Sequence, residues 1–413
     1  MIGLMDCNNF FVSCERLFRP DLLKKPVAVL SSNDGCIVAR SQEVKDLGVP
    51  MGVPYFQVKD VLEKGKVTLF SSNFILYRDI SARVMESLQK EVGFIEVYSI
   101  DEAFFELEDS VTESEMLRIR NKIMKDVGIP ISLGVAKTKT LAKHASHSAK
   151  KGNGVCILTD LLWKESLKVT PCGLVWGLGR QTVVKLRQMN VVTMGDFMEI
   201  SLPMLRQHFG VMGERIQNEL KGVIMYPLGE GRGTDVKQSI TSTRSFEKTT
   251  TNLHDLESAL AYHLTEVAKK LREKELLASH LSIMILPSRH GDFFMHRGSV
   301  EIVFPSPTQE TRVLLTEGLT ALKKIFENDV PYKKAGVVVS GLSPVAVRTN
   351  TLFETAEINT RTLDILTDKL NEKFGQGTVH SGAITKNGSR GSAKLRSKEY
   401  TTRWKDIPTV HTK

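Results

Sequence analysis

Two short acidic segments hold the side chains best suited to chemistry. Met5-Asp6-Cys7-Asn8-Asn9-Phe10-Phe11 closes an apolar run at the N-terminus, and Tyr98-Ser99-Ile100-Asp101-Glu102-Ala103-Phe104 lies inside another. Each puts a carboxylate at the end of a predicted buried strand. If the strands are neighbours, Asp6, Asp101 and Glu102 converge. Three carboxylates with no local Lys or Arg need cations to stay close, and hard divalent ions such as Mg²⁺ favour such oxygen ligands. Two ions held roughly 3.5–4 Å apart serve phosphoryl and nucleotidyl transfer. In that reading Asp6 and Asp101 bridge two Mg²⁺ ions and the backbone carbonyl of Cys7 is a further ligand. Glu102 holds the ion at an attacking 3′-oxygen. Taken singly, Asp6 reads better as a turn former and Asp101-Glu102 as a hairpin tip; together with the rest of the chain they read as a metal site.

Three further groups stand around this trio. Lys139, Lys143 and Lys150 follow one another at spacings of four and seven, one face of a helix flanked by Gly152 and Gly154. Such a face suits a triphosphate or nucleic-acid phosphates, or is simply solvated. Lys45 offers a second phosphate contact. Val175-Trp176-Gly177-Leu178-Gly179-Arg180 leads into a basic helix over 181–189 that carries Lys185. A Gly-x-Gly turn there presents backbone N–H groups to a phosphate, as half of a helix-hairpin-helix. This makes Gly177, Gly179, Arg180 and Lys185 candidate DNA contacts. Finally, Phe10 and Phe11 follow Asp6 directly. An aromatic ring beside a substrate bound at Asp6 would clash with a ribose 2′-hydroxyl, and Phe11 is assigned that role.

The elements that must position these residues are readable in outline. The 413 residues exceed one compact core, so two to four domains are expected. Apolar residues make up 41% and charged residues 25%, as in globular proteins, and the net charge of +9 leans towards a polyanionic partner. The five cysteines form no C-x-x-C pair and read as reduced, buried thiols of a cytoplasmic protein. No signal peptide or membrane-length apolar run is present.

Met1–Met5 reads as a buried strand. Leu76, Ile80, Val84 and Leu88 predict a helix over 75–90, residues 94–107 a hairpin, and Thr112 with Glu115 a capping box opening a helix over 112–127. A strand at 131–135 and the basic helix at 138–150 follow. The α/β (α+β) result is an antiparallel or mixed sheet with helices on one face. Residues 164–233 read as helical and basic, and 230–234 as a linker. From 239 to 342 the order is β-α-β-β-α-β, ferredoxin-like. From Lys386 to Lys413, 8 Lys/Arg against 2 Asp/Glu read as a basic tail that is mobile until it meets a partner.

With these motifs in hand, the chain resembles the Y-family translesion DNA polymerases, UmuC type. The resemblance covers nearly the whole chain. It rests on Asp6–Phe11, Ser32–Cys36, Ala39-Arg40, Gly48–Gly52, Phe70–Asn73 with Tyr77, Tyr98–Phe104, Gly134–Lys143 and Gly177–Gly179. It implies a right hand with the palm at 1–10 and 75–165, fingers at 11–74 and thumb at 166–235. A little finger at 237–345 and a C-terminal tail at 346–413 follow. By position it makes Asp6, Asp101 and Glu102 the metal ligands and Phe11 the steric gate. Phe10, Phe11, Lys45 and Lys150 match nucleotide-contacting positions.

Departures are Asn8 where many relatives have a second acid, Phe for the usual gate Tyr, and Lys45 for an Arg fork. The resemblance further implies error-prone, template-directed addition of dNTPs to a primer 3′-OH across damaged bases in the SOS response. Its partners would be a processed UmuD dimer, a RecA nucleoprotein filament and the sliding clamp. Leu352-Phe353 is the clamp-binding candidate, without the usual leading Gln. The rivals are another two-metal enzyme such as a nucleotide cyclase, and a DNA-binding subunit without chemistry. The Gly177-Leu178-Gly179 turn argues against the first and the three carboxylates against the second.

Overall fold

The computed structural model describes residues 1–229, 238–288, 298–347, 360–385 and 393–409. They form two compact units, Met1–Arg232 with Ala393–Lys413, and Gly233–Ser392. The expected linker at 230–234 and the Leu352-Phe353 peptide lie outside the described residues.

In the first unit, β1 (Ile2–Cys7) runs into α1 (Phe10–Phe18). A small subunit follows, made of β2 (Val27–Leu30), β3 (Ile37–Arg40), α2 (Gln42–Asp46), α3 (Tyr55–Lys64) and β4 (Thr68–Ser71). Its sheet has the order β3-β2-β4. The chain returns through α4 (Phe74–Val92), β5 (Ile95–Val97), β6 (Glu102–Glu106), α5 (Glu113–Val127), β7 (Ile131–Ala136), α6 (Lys139–Ala149) and β8 (Val155–Ile157). These strands and β1 make a five-stranded sheet, β5-β6-β1-β7-β8, antiparallel except for the β7–β8 pair.

The apolar β1 is central because both its faces are buried. Met5 and Cys7 face a core built with α4 and α5, while Ile2 and Leu4 face one built with α6. Helices therefore cover both faces of the sheet, not one as expected. The second layer depends on Gly134 in β7, where a Cβ would stand 2.1 Å from the Ser146 backbone nitrogen of α6.

Side-chain caps set the helix starts. Asn73 accepts from the Leu76 N–H, Thr112 from Glu115 and Thr138 from Leu141. Next come α7 (Asp160–Val169), α8 (Arg180–Gln188), α9 (Met194–Met198) and α10 (Leu202–Leu220). The buried Glu219 carboxylate accepts from the Thr140 N–H at the start of α6 and from Met225 and Tyr226 N–H. It thus ties the end of α10 to the sheet through a helix N-terminus, where negative charge is favoured.

The second unit has the expected β-α-β-β-α-β order: β9 (Ser239–Thr250), α11 (Leu253–Glu273), β10 (Leu276–Pro287), β11 (Gly298–Thr308), α12 (Thr311–Ile325) and β12 (Tyr332–Pro344). The sheet runs β11-β10-β12-β9, all antiparallel, so each helical crossover skips one strand. A helix the sequence reading lacked, α13 (Thr360–Phe374), packs on this unit. Arg272 holds it with a two-pronged bond to Asp368 and a contact to Asp364.

The expected mobile tail needs a further correction. Residues 393–409 pack on the first unit, where Leu395 exchanges hydrogen bonds with Ser71 and Tyr400 stacks on Phe18 at 4.6 Å. Most of its basic side chains are exposed while its backbone, Ser397, Tyr400 and Arg396 do the docking, which composition cannot reveal.

His263, buried on α11, has Nδ1 2.9 Å from the Ser242 hydroxyl. Burial, with Arg244 and Lys270 nearby, pushes its pKa down from 6.5 to about 4. The folded unit keeps the imidazole neutral while the unfolded chain protonates it below 6.5. The stabilisation, about 3 kcal/mol, is therefore complete above that pH and lost as pH falls towards 4. Hydrogen exchange of β10 and β12 amides should show protection falling across this window in the wild type and falling less in His263→Gln. Identical slopes would rule out His263 as the source.

Candidate active site

The antiparallel pairing of β1 with β6 places Asp6 opposite Glu102, and the Cys7 N–H donates to the Asp101 carbonyl at 2.9 Å. The two acidic segments are thus brought together by register alone. The Ser99 hydroxyl donates to Asp101 Oδ1 at 2.6 Å, and the Tyr98 and Ser99 N–H groups close the turn on the Glu102 carbonyl.

The expectation that no Lys or Arg stands nearby is wrong in space though true in sequence. Lys150 Nζ lies 2.7 Å from Asp6 Oδ1 and Lys143 Nζ 3.0 Å from Glu102 Oε1. The two lysines come from α6 and the turn after it, which α6's packing carries over the ends of β1 and β6. Burial pushes the Asp6 pKa up to about 6; Lys150 opposes this, and the Glu102 and Asp101 charges add to it.

Among the described residues no three His, Cys, Asp or Glu side chains close around one point. The donor set nonetheless fits hard cations. It consists of carboxylate oxygens and a backbone carbonyl, and burial, with a smaller contribution from the Glu102 and Asp101 charges, raises the Asp6 pKa even with Lys150 in contact.

A cleft of about 220 Å³ opens here, lined by Asp6, Glu102, Lys143, Lys150, His147 and Trp176 among others. Trp176 donates to the Tyr98 hydroxyl at 3.0 Å, and Lys143 Nζ sits 4.6 Å from the centre of the Tyr98 ring. The aromatic pair holds one wall and leaves the lysine charge directed into the cleft.

Residues 5–147 match the impB/mucB/samB family and residues 237–352 its C-terminal domain, while 361–410 match a domain of unknown function. Protein UmuC of Salmonella typhimurium is 34% identical over 99% of this chain and 100% of its own length. MucB of Escherichia coli is 32% identical with 99% of each chain covered, and DNA polymerase IV 1 of Bacillus subtilis 27% with 92% of each.

This chain belongs to the impB/mucB/samB family. It is a UmuC-type, Y-family DNA polymerase, so its substrates are DNA and dNTPs. A Y-family DNA polymerase chimera of Dbh and Dpo4 has the same fold, with a TM-score of 0.69 at 18% identity over 83% of this chain and 100% of that one. The right-hand architecture of palm, fingers, thumb and little finger follows. Polymerases of this family are generally metal-dependent. Among the described residues no helix is long and apolar enough to cross a membrane.

The other expected residues of this polymerase fall as follows. Lys45 Nζ donates to Asn9 Oδ1 at 2.8 Å, and burial with the neighbouring Arg40 and Lys150 charges holds its pKa below the ordinary lysine value. Lys45, Arg40 and Lys150 thus gather beside the carboxylates. Arg40 carries no role in the sequence reading; its signal was the Ala39-Arg40 motif.

Lys139, by contrast, leaves the basic face. It is buried against Glu96 at 2.6 Å and the Pro227 carbonyl, an internal tie. Phe11 is half-buried and stacks on Tyr77 with ring centres 4.5 Å apart. Phe10 is core, which leaves only its backbone for a nucleotide.

Gly177 has φ +93° and Gly179 caps α8 without a side-chain bond. Arg180 lines a second cleft with Leu178 and Arg187, while Lys185 lies in the last turn of α8. Asp6 and Glu102 therefore border one cleft, with Trp176, and Leu178 and Arg180 another.

Ser99 anchors Asp101, and such orienting bonds are worth roughly ten- to a hundredfold in metal affinity or activity. Ser99→Ala should lower primer extension by that factor and move its divalent-cation dependence to higher concentration. An unchanged cation titration would show that Asp101 needs no such anchor.

Proposed function

We infer that this chain is an error-prone translesion DNA polymerase of SOS mutagenesis, adding dNTPs to a primer 3′-OH opposite damaged template bases. The observation that carries the chemistry is the register pairing of Asp6 with Glu102, with Asp101 alongside, in a chain similar to UmuC over its full length. Asp6, Asp101, Glu102 and the Cys7 carbonyl would hold two Mg²⁺ ions. Bound there, the ions supply acidification of the primer hydroxyl and neutralisation of the departing pyrophosphate.

The chain's own residues do the rest. Lys45, Lys150 and Arg40 bind the triphosphate as fixed positive charges, and Lys143 balances Glu102 on the opposite wall. Phe11, backed by Tyr77, excludes a 2′-hydroxyl. The N–H groups of Gly177 and Gly179, with Arg180 and Lys185, track the duplex backbone without reading its sequence.

Residues 1–10 with 75–165 serve as palm, 11–74 as fingers, 166–235 as thumb and 237–345 as little finger. The region 346–413 serves partner contact. Small fingers grip the nascent pair loosely, so a lesion fits where a shape-checking pocket would reject it. The little finger adds sequence-independent, salt-sensitive backbone contacts. A processed UmuD dimer, a RecA filament and, through Leu352-Phe353, the sliding clamp complete the working assembly, in the cytoplasm at the nucleoid.

The test is primer extension across an abasic site with Mg²⁺ and these partners. Wild type should extend and Asp101→Ala should not. Equal extension by both would sink the site assignment. No extension by either, with primed DNA still bound, would favour a DNA-binding subunit without chemistry.

A further inference from the structure

The region matched to a domain of unknown function ends in a segment that reaches the far side of the nucleotide site. Behind Phe11 lies the fully buried Tyr77, its ring nearly parallel to Phe11 at 14°. The Tyr77 hydroxyl donates to Glu15 Oε1 at 2.7 Å. Glu15 is completely buried on α1, and the second donor to that same oxygen is the Ser397 hydroxyl, at 3.0 Å. Among the described residues Glu15 Oε2 has no hydrogen-bond partner. Among them, two hydroxyls hold the carboxylate, one from the wall behind the gate and one from the C-terminal segment.

That segment is itself held in place around Ser397. Asn73, the cap of α4, donates to the Ser397 carbonyl and hydroxyl and to the Lys398 carbonyl at 3.1–3.2 Å. Leu395 bonds Ser71 on the strand just before α4, and Tyr400 stacks on Phe18 of α1. These contacts grip α1, the start of α4 and the strand that leads into it; α1 and α4 carry Phe11 and Tyr77.

We propose that residues 393–409 are a sugar-selection element, in which Ser397 positions Glu15, Glu15 fixes the Tyr77 hydroxyl, and the Tyr77 ring sets where Phe11 stands against the nucleotide sugar. This rests on the reading of Phe11 as the gate. Ser397, Glu15 and Tyr77 are positioning residues; none touches the reacting atoms. Without the Ser397 hydroxyl, Glu15 keeps one donor and its carboxylate is no longer fixed from the second side, so the Tyr77 hydroxyl bonds an acceptor free to turn. The Tyr77 ring is then less firmly held, and Phe11 yields to a 2′-hydroxyl more easily.

The experiment measures ribonucleotide against deoxyribonucleotide selection by the full chain with its activating partners. One readout is the ratio of kcat/KM values in single insertions. The other is the ratio of affinities for a complex on a dideoxy-terminated primer, which requires no turnover. Phe11→Ala tests the gate, and should raise relative ribonucleotide use strongly.

Ser397→Ala and Tyr77→Phe should each raise it roughly three- to tenfold, the worth of one ordinary hydrogen bond. The double variant should do little more than either single one, and Ser397→Thr should restore selection. If Phe11→Ala changes the ratio but Ser397→Ala and Tyr77→Phe leave it as in the wild type, the proposal falls and the gate stands. If Phe11→Ala changes nothing, the gate reading falls and takes the proposal with it. Should Ser397→Ala fail to fold, Ser397→Cys, which keeps a short side chain but donates only weakly, takes its place beside Tyr77→Phe, and wild-type selection in either overturns the proposal.

Discussion

Everything at this site depends on one pairing, the antiparallel register that sets Asp6 of β1 across from Glu102 of β6. A shift by one residue would turn every side chain of β1 to the opposite face, burying Asp6 against α4 and α5. The register is held because β1 is buried on both faces, with apolar neighbours at Ile2, Leu4, Met5 and Cys7. The cost is a set of like charges at a strand end where little water reaches. Burial, and to a smaller extent their repulsion, keeps the Asp6 pKa high even against Lys150. A carboxylate under that strain gains from any added positive charge. The packing of α6 over the sheet supplies two such charges and leaves donor oxygens suited to metal ions.

The features legible in the sequence were those set by local pattern. The apolar run around Asp6, the hairpin over 94–107, the four-residue spacing from Leu76 to Leu88, and the β-α-β-β-α-β order all correspond to elements of the structure, although Asp101 lies in the hairpin turn and not at the end of a strand. What stayed hidden was decided by tertiary partners. Lys139 and Lys143 look alike on a helical face, yet one is buried on Glu96 and the other borders the cleft. The difference lies in α10 and the residues after it, whose Pro227 carbonyl covers Lys139. The second helical layer hinges on Gly134, a residue that in a strand pattern signals only close approach of something. Arg40 stood within a quoted motif, but its nearness to Lys45 and Lys150 requires the fingers-like sheet to be folded.

The C-terminal region shows how composition misleads in a specific way. Its charge and small residues describe a solvated chain, and its side chains are in large part exposed. Docking instead uses groups that composition ignores. A backbone N–H meets Ser71, a serine hydroxyl meets a buried carboxylate, and one tyrosine ring finds Phe18. Similarly, α13 is held through Arg272, a residue of α11 whose role as a receptor for two aspartates cannot be guessed from α11 alone.

These two anchors differ in strength, and the difference bears on what the region can do. Arg272 is nearly buried, bonds Asp368 through two nitrogens, and also meets Asp364, Thr311 and the Gln309 carbonyl. Removing one partner from such a pair costs roughly 3–5 kcal/mol, because the charge left behind is unpaired. The 393–409 segment is held by single hydrogen bonds and one ring stack: neutral bonds to Ser71 and Asn73 worth about 0.5–1.5 kcal/mol each, and bonds with one charged partner at Glu15, Asp34 and Arg396 worth about 1.5–3. Helix α13 therefore behaves as part of its unit. The terminal segment sits closer to release, with Ser397 joined to the wall behind Phe11. A weakly held element makes a poor structural brace. It is well suited to altering how tightly a neighbouring ring is held, since it can leave without unfolding the unit on which it rests.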